Sequence, residues 1–153
     1  MKALTTLIVI GMFATAVAMA DDVDDVKAAM LGHYAARNAG DADAYVQLHS
    51  PNRSSFGGGG ALLGRSDSLE DLENEKKNLQ AQFDAGVKFN VQLRNPEVEV
   101  YGNAAVVTGY LVGTITSSDG TTRPTATRRS VVLIKQGDQW KAVHGHSSPL
   151  FPR

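Results

Sequence analysis

Residues 127–148 constrain this chain more than any other stretch. Two apolar runs, Ser130-Val-Val-Leu-Ile-Lys135 and Gln139-Trp-Lys-Ala-Val-His-Gly145, flank a Gly137-Asp138 turn. That is a β-hairpin, and it closes on one Trp and two histidines. A hairpin with two long arms needs a sheet to join. The preceding residues supply one: from Val87 onward, Val87, Phe89, Val91 and Leu93 alternate with Lys88, Asn90, Gln92 and Arg94. This period of two marks a half-buried strand. Asn95-Pro96 and Gly102-Asn103 read as turns. Strands are expected at 104–116, 121–135 and 139–147, the first two joined through Ser117-Ser-Asp-Gly120.

Upstream of Val87 the period is helical. Val23, Val26, Met30, His33 and Arg37 fall on one stripe that Asn38-Ala-Gly40 ends. Asp41 caps a short second helix carrying Tyr45 and Leu48, which Pro51 ends. Gly57 to Gly60 read as a flexible lip or bend, because the Gly-Lys-Ser/Thr ending of a phosphate loop is missing. Asp67 with Glu70 starts a third helix in the manner of a capping box, with Leu69, Leu72, Lys76, Leu79 and Phe83 as its inner stripe. Its charged residues Glu70, Asp71, Glu73, Glu75, Lys76 and Lys77 read mostly as a solvated face with charge pairs at helical spacing. Helices followed by a meander of strands mean an α+β domain, not a doubly wound parallel sheet.

The first twenty residues read as a cleavable secretory signal. Lys2 is the positive end, residues 3–17 are almost all apolar or small, and Ala18-Met19-Ala20 is the cleavage site. The mature domain is then 21–153. Removing Lys2 takes the formal net charge from -1 to -2, a poor balance for nucleic acid or an anionic membrane. With no cysteine, disulfides, thiolate catalysis and cysteine zinc sites are excluded. A periplasmic or secreted domain resting on its hydrophobic core is expected.

The closing hairpin resembles that of the SnoaL-like group in the nuclear transport factor 2-like superfamily, distant relatives of ketosteroid isomerase. Those proteins carry an Arg, a hydroxyl residue two further on, a Gly-containing turn, a Trp and a His-x-Ser ending. Arg128, Ser130, Trp140, His146 and Ser148 match. Gly40-Asp41 and Gly64-Arg65 are similar to weaker recurrent positions. The resemblance implies a cone: a strongly curved antiparallel sheet packed against three N-terminal helices, often dimeric through the outer sheet face. Fold likeness alone does not assign a reaction.

A tight turn at Gly137-Asp138 pairs Gln136 with Gln139, and so Arg128 with Ser147 and Ser130 with Gly145. Centring the preceding turn on Ser118-Asp119 sets Gly109 beside Arg128. One face then holds Val107, Gly109, Leu111, Arg128, Ser130, Val132, Val143, Gly145 and Ser147. This small, glycine-dotted face is the expected pocket wall. The other holds Tyr110, Arg129, Val131, Leu133, Trp140, His144 and His146, the expected dimer interface. A one-residue bulge at Gly145 would reverse the histidines and make Tyr110, His144 and His146 the pocket.

Arg128 is the sharpest candidate, either holding a ligand carboxylate or enolate or pairing internally with Glu73 or Asp43. His33, where some relatives place a pocket tyrosine, is a candidate donor or base, or else a core histidine bonded to backbone. Ser130, Gly145 and Ser147 complete the expected ligand contacts. His144 and His146 lack a third metal ligand, and no metal or other cofactor is expected. Ketosteroid isomerases carry a carboxylate base on the first strand after helix two, and Arg53-Ser-Ser-Phe-Gly-Gly-Gly-Gly60 supplies none. The expected function is binding of a small, partly apolar, anionic molecule. The alternatives are a lyase, isomerase or hydrolase using His33 and Arg128, and an oligomerisation module.

Overall fold

The computed structural model describes residues 8–57 and 62–150, with side chains from Asp21 onward. Lys2 and the first apolar residues of the expected signal lie outside the described residues, as do Gly58 to Gly60 of the expected lip. The elements are α1 (Ile8–Ala39), α2 (Ala42–Val46), β1 (His49–Phe56), β2 (Gly64–Asp67), α3 (Leu69–Asp84), β3 (Lys88–Tyr101), β4 (Ala104–Thr116), β5 (Thr122–Gln136) and β6 (Gln139–Pro149). They form an α+β fold around one six-stranded sheet of order β2-β1-β6-β5-β4-β3.

The helices begin and end on local chemistry. Gly40, at φ +75, turns the chain out of α1. Asp41 accepts the Ala44 N–H at 2.8 Å and caps α2. The cap of α3 sits one residue later than the sequence suggests: Ser68 accepts the Asp71 N–H at 3.1 Å, and the Asp71 carboxylate accepts the Asp67 N–H at 3.0 Å. α1 lies along β3, where Asn38 bonds both the N–H and the C=O of Val91, at 2.9 and 2.8 Å.

Three differences from the sequence reading matter for the site. Strands β1 and β2 stand before α3, so the helices do not all precede the sheet. β1 runs parallel to β6, which makes the sheet mixed. Asn95-Pro96 is not a turn but a bulge inside β3, between Arg94 and Glu97, with Asn95 at φ +49.

The register of the closing hairpin also differs. Gln136 does pair with Gln139, but Val143 is an extra residue between Ala142 and His144. Beyond that bulge Arg129, not Arg128, faces Ser147, and Ser130 faces His146. The β4–β5 connection is one residue longer than a tight turn centred on Ser118-Asp119 requires, so Gly109 pairs with Arg129. A one-residue slip turns every side chain of a strand over. The concave face therefore holds Arg129, Val131, Leu133, Trp140, Ala142, Gly145 and Ser147, while Arg128, Ser130, His144 and His146 take the convex face.

The core follows from that placement. Val26, Met30 and Tyr34 of α1 and Leu48 pack against Val91, Leu93, Ala105, Val107, Val131, Leu133, Trp140 and Ala142. Sending Val131, Leu133 and Trp140 inward removes far more apolar area from water than the alternative register would, at about 25 cal/mol per Å². Trp140, Val131 and Leu133 are buried within the monomer, so they are not interface residues.

Candidate functional site

The concave interior is not purely apolar. It encloses a polar column running from β6 to α3, assembled from six elements. Ser147 Oγ accepts from Arg129 at 2.9 Å, and Arg129 Nε donates to the Tyr34 hydroxyl at 3.1 Å. Beside Tyr34 lies His33, its ring stacked on Tyr45 at 4.0 Å between centroids and 5.0 Å from the ring of His49. His49 Nδ1 stands 3.2 Å from Glu75 of α3, and the same carboxylate oxygen accepts from Arg53.

Burial sets the protonation states. His33 is held well below the usual imidazole range, chiefly by burial and then by His49, Arg129 and Arg37, against the opposing Tyr45 carbonyl. Its Nδ1 lies 3.0 Å from that carbonyl, which only accepts, so Nδ1 carries the proton and Nε2 is an acceptor. His49 is likewise held down by burial, although Glu75 works the other way. Burial alone would raise the Glu75 carboxyl; His49 and Arg53 outweigh it and keep the group ionised. Burial pushes the Tyr45 phenol up. Around neutral pH the column thus holds two neutral histidines, one carboxylate and the guanidinium groups of Arg53 and Arg129.

The column opens into a cleft of about 420 Å³ between α1, α2, β1, β2 and α3. Tyr45 and Leu79 form its apolar part, and Arg37, Arg53 and Arg65 bring positive charge. Two of these cations are neutralised, Arg53 by Glu75 and Arg65 by Asp67 at 2.9 Å. Arg37 has no carboxylate partner among the described residues. Its guanidinium rests on the Phe89 ring at 4.0 Å, and its buried Nε lacks a hydrogen-bond partner. A guanidinium so placed, with ring faces behind it and a cleft in front, can take one carboxylate.

The sequence-predicted residues divide. His33, Gly145 and Ser147 lie in the concave interior. Arg128 does not: it is exposed on the convex face and donates to the Pro149 carbonyl at 2.9 Å. Neither suggested partner meets it, since Glu73 and Asp43 both pair with Lys76. The place expected for Arg128 is taken by Arg129, through the register shift at Val143. Ser130 shares a cavity of about 410 Å³ on the convex side with Arg128, Tyr110 and Thr108. His144 bonds the Ser54 hydroxyl at 2.9 Å, and exposed His146 lies edge-on to Phe56. Tyr110, His144 and His146 therefore lie on the convex side of the sheet, Tyr110 in the cavity that holds Arg128 and Ser130.

Sequence reasoning missed His49 and Glu75. Glu75 was legible: it follows Leu72 by three residues and precedes Leu79 by four, so it shares their inner face. His49 sits where α2 gives way to β1, and no periodicity marks it.

A profile described as a SnoaL-like domain matches residues 26–152. No curated protein matches. Among solved structures, a ketosteroid isomerase-like protein from Erwinia carotovora atroseptica is 20% identical with a TM-score of 0.68, over 86% of this chain and 98% of that one. An NTF2-like protein with a cystatin-like fold from Novosphingobium aromaticivorans is 16% identical with a TM-score of 0.70, over 100% and 94%. The CaMKII hub of S. rosetta is 24% identical with a TM-score of 0.63, over 83% and 95%. At these identities the likeness establishes the shared fold.

Proposed function

The chain belongs to the SnoaL-like domain family, and from that premise we propose that it binds a small, partly apolar, anionic molecule in the arginine-lined cleft. The observation that carries this reading is Arg37. The other two arginines of the cleft are paired, Arg53 with Glu75 and Arg65 with Asp67, so among the described residues Arg37 is the arginine left for a ligand carboxylate. Tyr45 and Leu79 offer the surface for an apolar part of the ligand. Arg37 is half-buried with its Nε unpartnered, and a bound carboxylate would supply both a counter-ion and a hydrogen bond. Mass spectrometry of small molecules co-purifying with wild type and with Arg37→Met tests the reading. An acidic molecule retained by wild type and lost from the variant supports it; identical profiles refute it.

A second reading, an enzyme of lyase, isomerase or hydrolase type, draws support from the His49–Glu75 pair. A carboxylate that fixes Nδ1–H leaves Nε2 free as a base. In this reading His33 and His49 take the role expected of His33 alone, and Arg129 that of Arg128. His49→Gln should then abolish turnover of a bound molecule without abolishing its binding.

Export and dimerisation complete the proposal. Export rests on the Lys2 to Ala20 pattern. Among the described residues no helix is long and apolar enough to cross a membrane. With Trp140 in the core, a dimer interface would draw on the exposed Tyr110 and Phe56 of the convex face.

A further inference from the structure

Between His49 and Ser54 the parallel strands β1 and β6 part. Residues 50–53 of β1 stand there opposite Val143 alone, and Pro51 has no N–H to give to a ladder. Beside this opening lies a cavity of about 20 Å³, lined by His49, Arg53, Ser54, Arg129, His144 and Gly145 among others. We propose that this cavity is a binding site for one monoatomic anion, chloride, held between Arg53 and Arg129.

Size sets the first limit. A space of about 20 Å³ takes one water-sized particle and is too small for a carboxylate or a phosphate. Charge sets the second. No acidic side chain lines the cavity, whereas two arginines do. Arg53 is met by Glu75. Half-buried Arg129 has no carboxylate partner among the described residues: its Nε and Nη1 donate to the hydroxyl groups of Tyr34 and Ser147. One positive charge is therefore left at the cavity, and a monovalent anion offsets it.

The unused donors point the same way. A Cβ built on Gly145, part of the cavity wall, would stand 2.9 Å from Arg129 Nη2. That nitrogen has no hydrogen-bond partner among the described residues. The Nε of Arg53 is buried and lacks one too. Water could accept from both groups but would leave the charge of Arg129 in place. Chloride needs little more room, accepts from both and supplies the missing charge.

Melting midpoints test the site as chloride replaces methanesulfonate, an anion too large for the cavity, at constant ionic strength. The wild-type midpoint should rise with the logarithm of chloride concentration once the site fills. Arg129→Gln keeps donors but loses the charge, and its chloride affinity should fall by at least about tenfold. Arg37→Met should respond as wild type does, because this site does not draw on the cleft's free arginine. Anomalous diffraction from wild-type crystals grown in bromide gives a reading that needs no variant: a bromide peak between Arg53 and Arg129. No chloride response in wild type, an equal response in Arg129→Gln, loss of the response in Arg37→Met, or a position between the two arginines without bromide signal would overturn the proposal. Failure of carboxylates to bind at Arg37, with the chloride response intact, counts against the cleft and not against this site.

Discussion

Arg129 Nε donates to the Tyr34 hydroxyl across 3.1 Å, joining the middle of the sheet to the buried face of α1. The adjacent Arg128 reaches no side chain in the interior. Two neighbouring arginines therefore carry opposite expectations.

Arg129→Met removes the donors serving Tyr34 and Ser147 and should cost about 1–3 kcal/mol of stability. Arg128→Met changes an exposed side chain and should stay within about 0.5 kcal/mol of wild type. Urea unfolding of the two variants measures both. Equal losses would mean that the Val143 bulge is misplaced and the strand turned over.

Gly145 lies under the Arg129 guanidinium: a Cβ there would stand 2.9 Å from a terminal nitrogen. Gly145→Ala should destabilise by about 1 kcal/mol or more as the guanidinium is pushed from Ser147. In the Arg129→Met background the alanine should cost less, because no guanidinium remains to be displaced. A double-mutant cycle with no coupling would contradict the contact.

The buried histidines make stability pH-dependent with a definite sign. Both His33 and His49 have folded-state values below the usual 6.5, so the unfolded chain binds their protons first. Their contribution is fully present above the unfolded value and is lost as pH falls through it towards the folded values. Glu75 adds a second loss, as pH falls from its usual 4.5 through its lowered folded value. Melting midpoints should decline below about pH 6.5, and His33→Phe should flatten the upper part of the decline. An unchanged slope in that variant would exclude His33 as its source.

Much of this fold was legible because periodicity reports burial. The α1 stripe, the Asp41 cap and the alternation in β3 each follow from one local rule, and each agrees with the structure. The face assignment did not follow, because it depended on counting residues through two connections. One extra residue at Val143 and one in the β4–β5 loop leave the apolar pattern of each strand intact while exchanging Arg128 for Arg129. Had the mass of Val131, Leu133 and Trp140 been weighed against the small residues opposite them, burial would have favoured the observed face. His49 is different in kind: its partner Glu75 is 26 residues away, and only the tertiary fold brings them together.

Export makes its own prediction. Cleavage after Ala20 would leave Asp21 as the first residue, with Asp22 still able to pair with Lys135 at 2.5 Å. N-terminal sequencing of the protein recovered from the periplasm should begin at Asp21. A chain that keeps Met1 and sediments with membranes would refute export.

The central claim is that Arg37 awaits a carboxylate. Thermal melts of wild type and Arg37→Met, each with a panel of short aliphatic and aromatic monocarboxylates and their matched amides, test it most directly. At least one acid should raise the wild-type midpoint while its amide does not. Arg37→Met should lose that response, with binding weakened by about 2–5 kcal/mol, as expected for loss of one member of a buried charged pair. Equal responses in wild type and variant, or amides as effective as acids, would contradict the account.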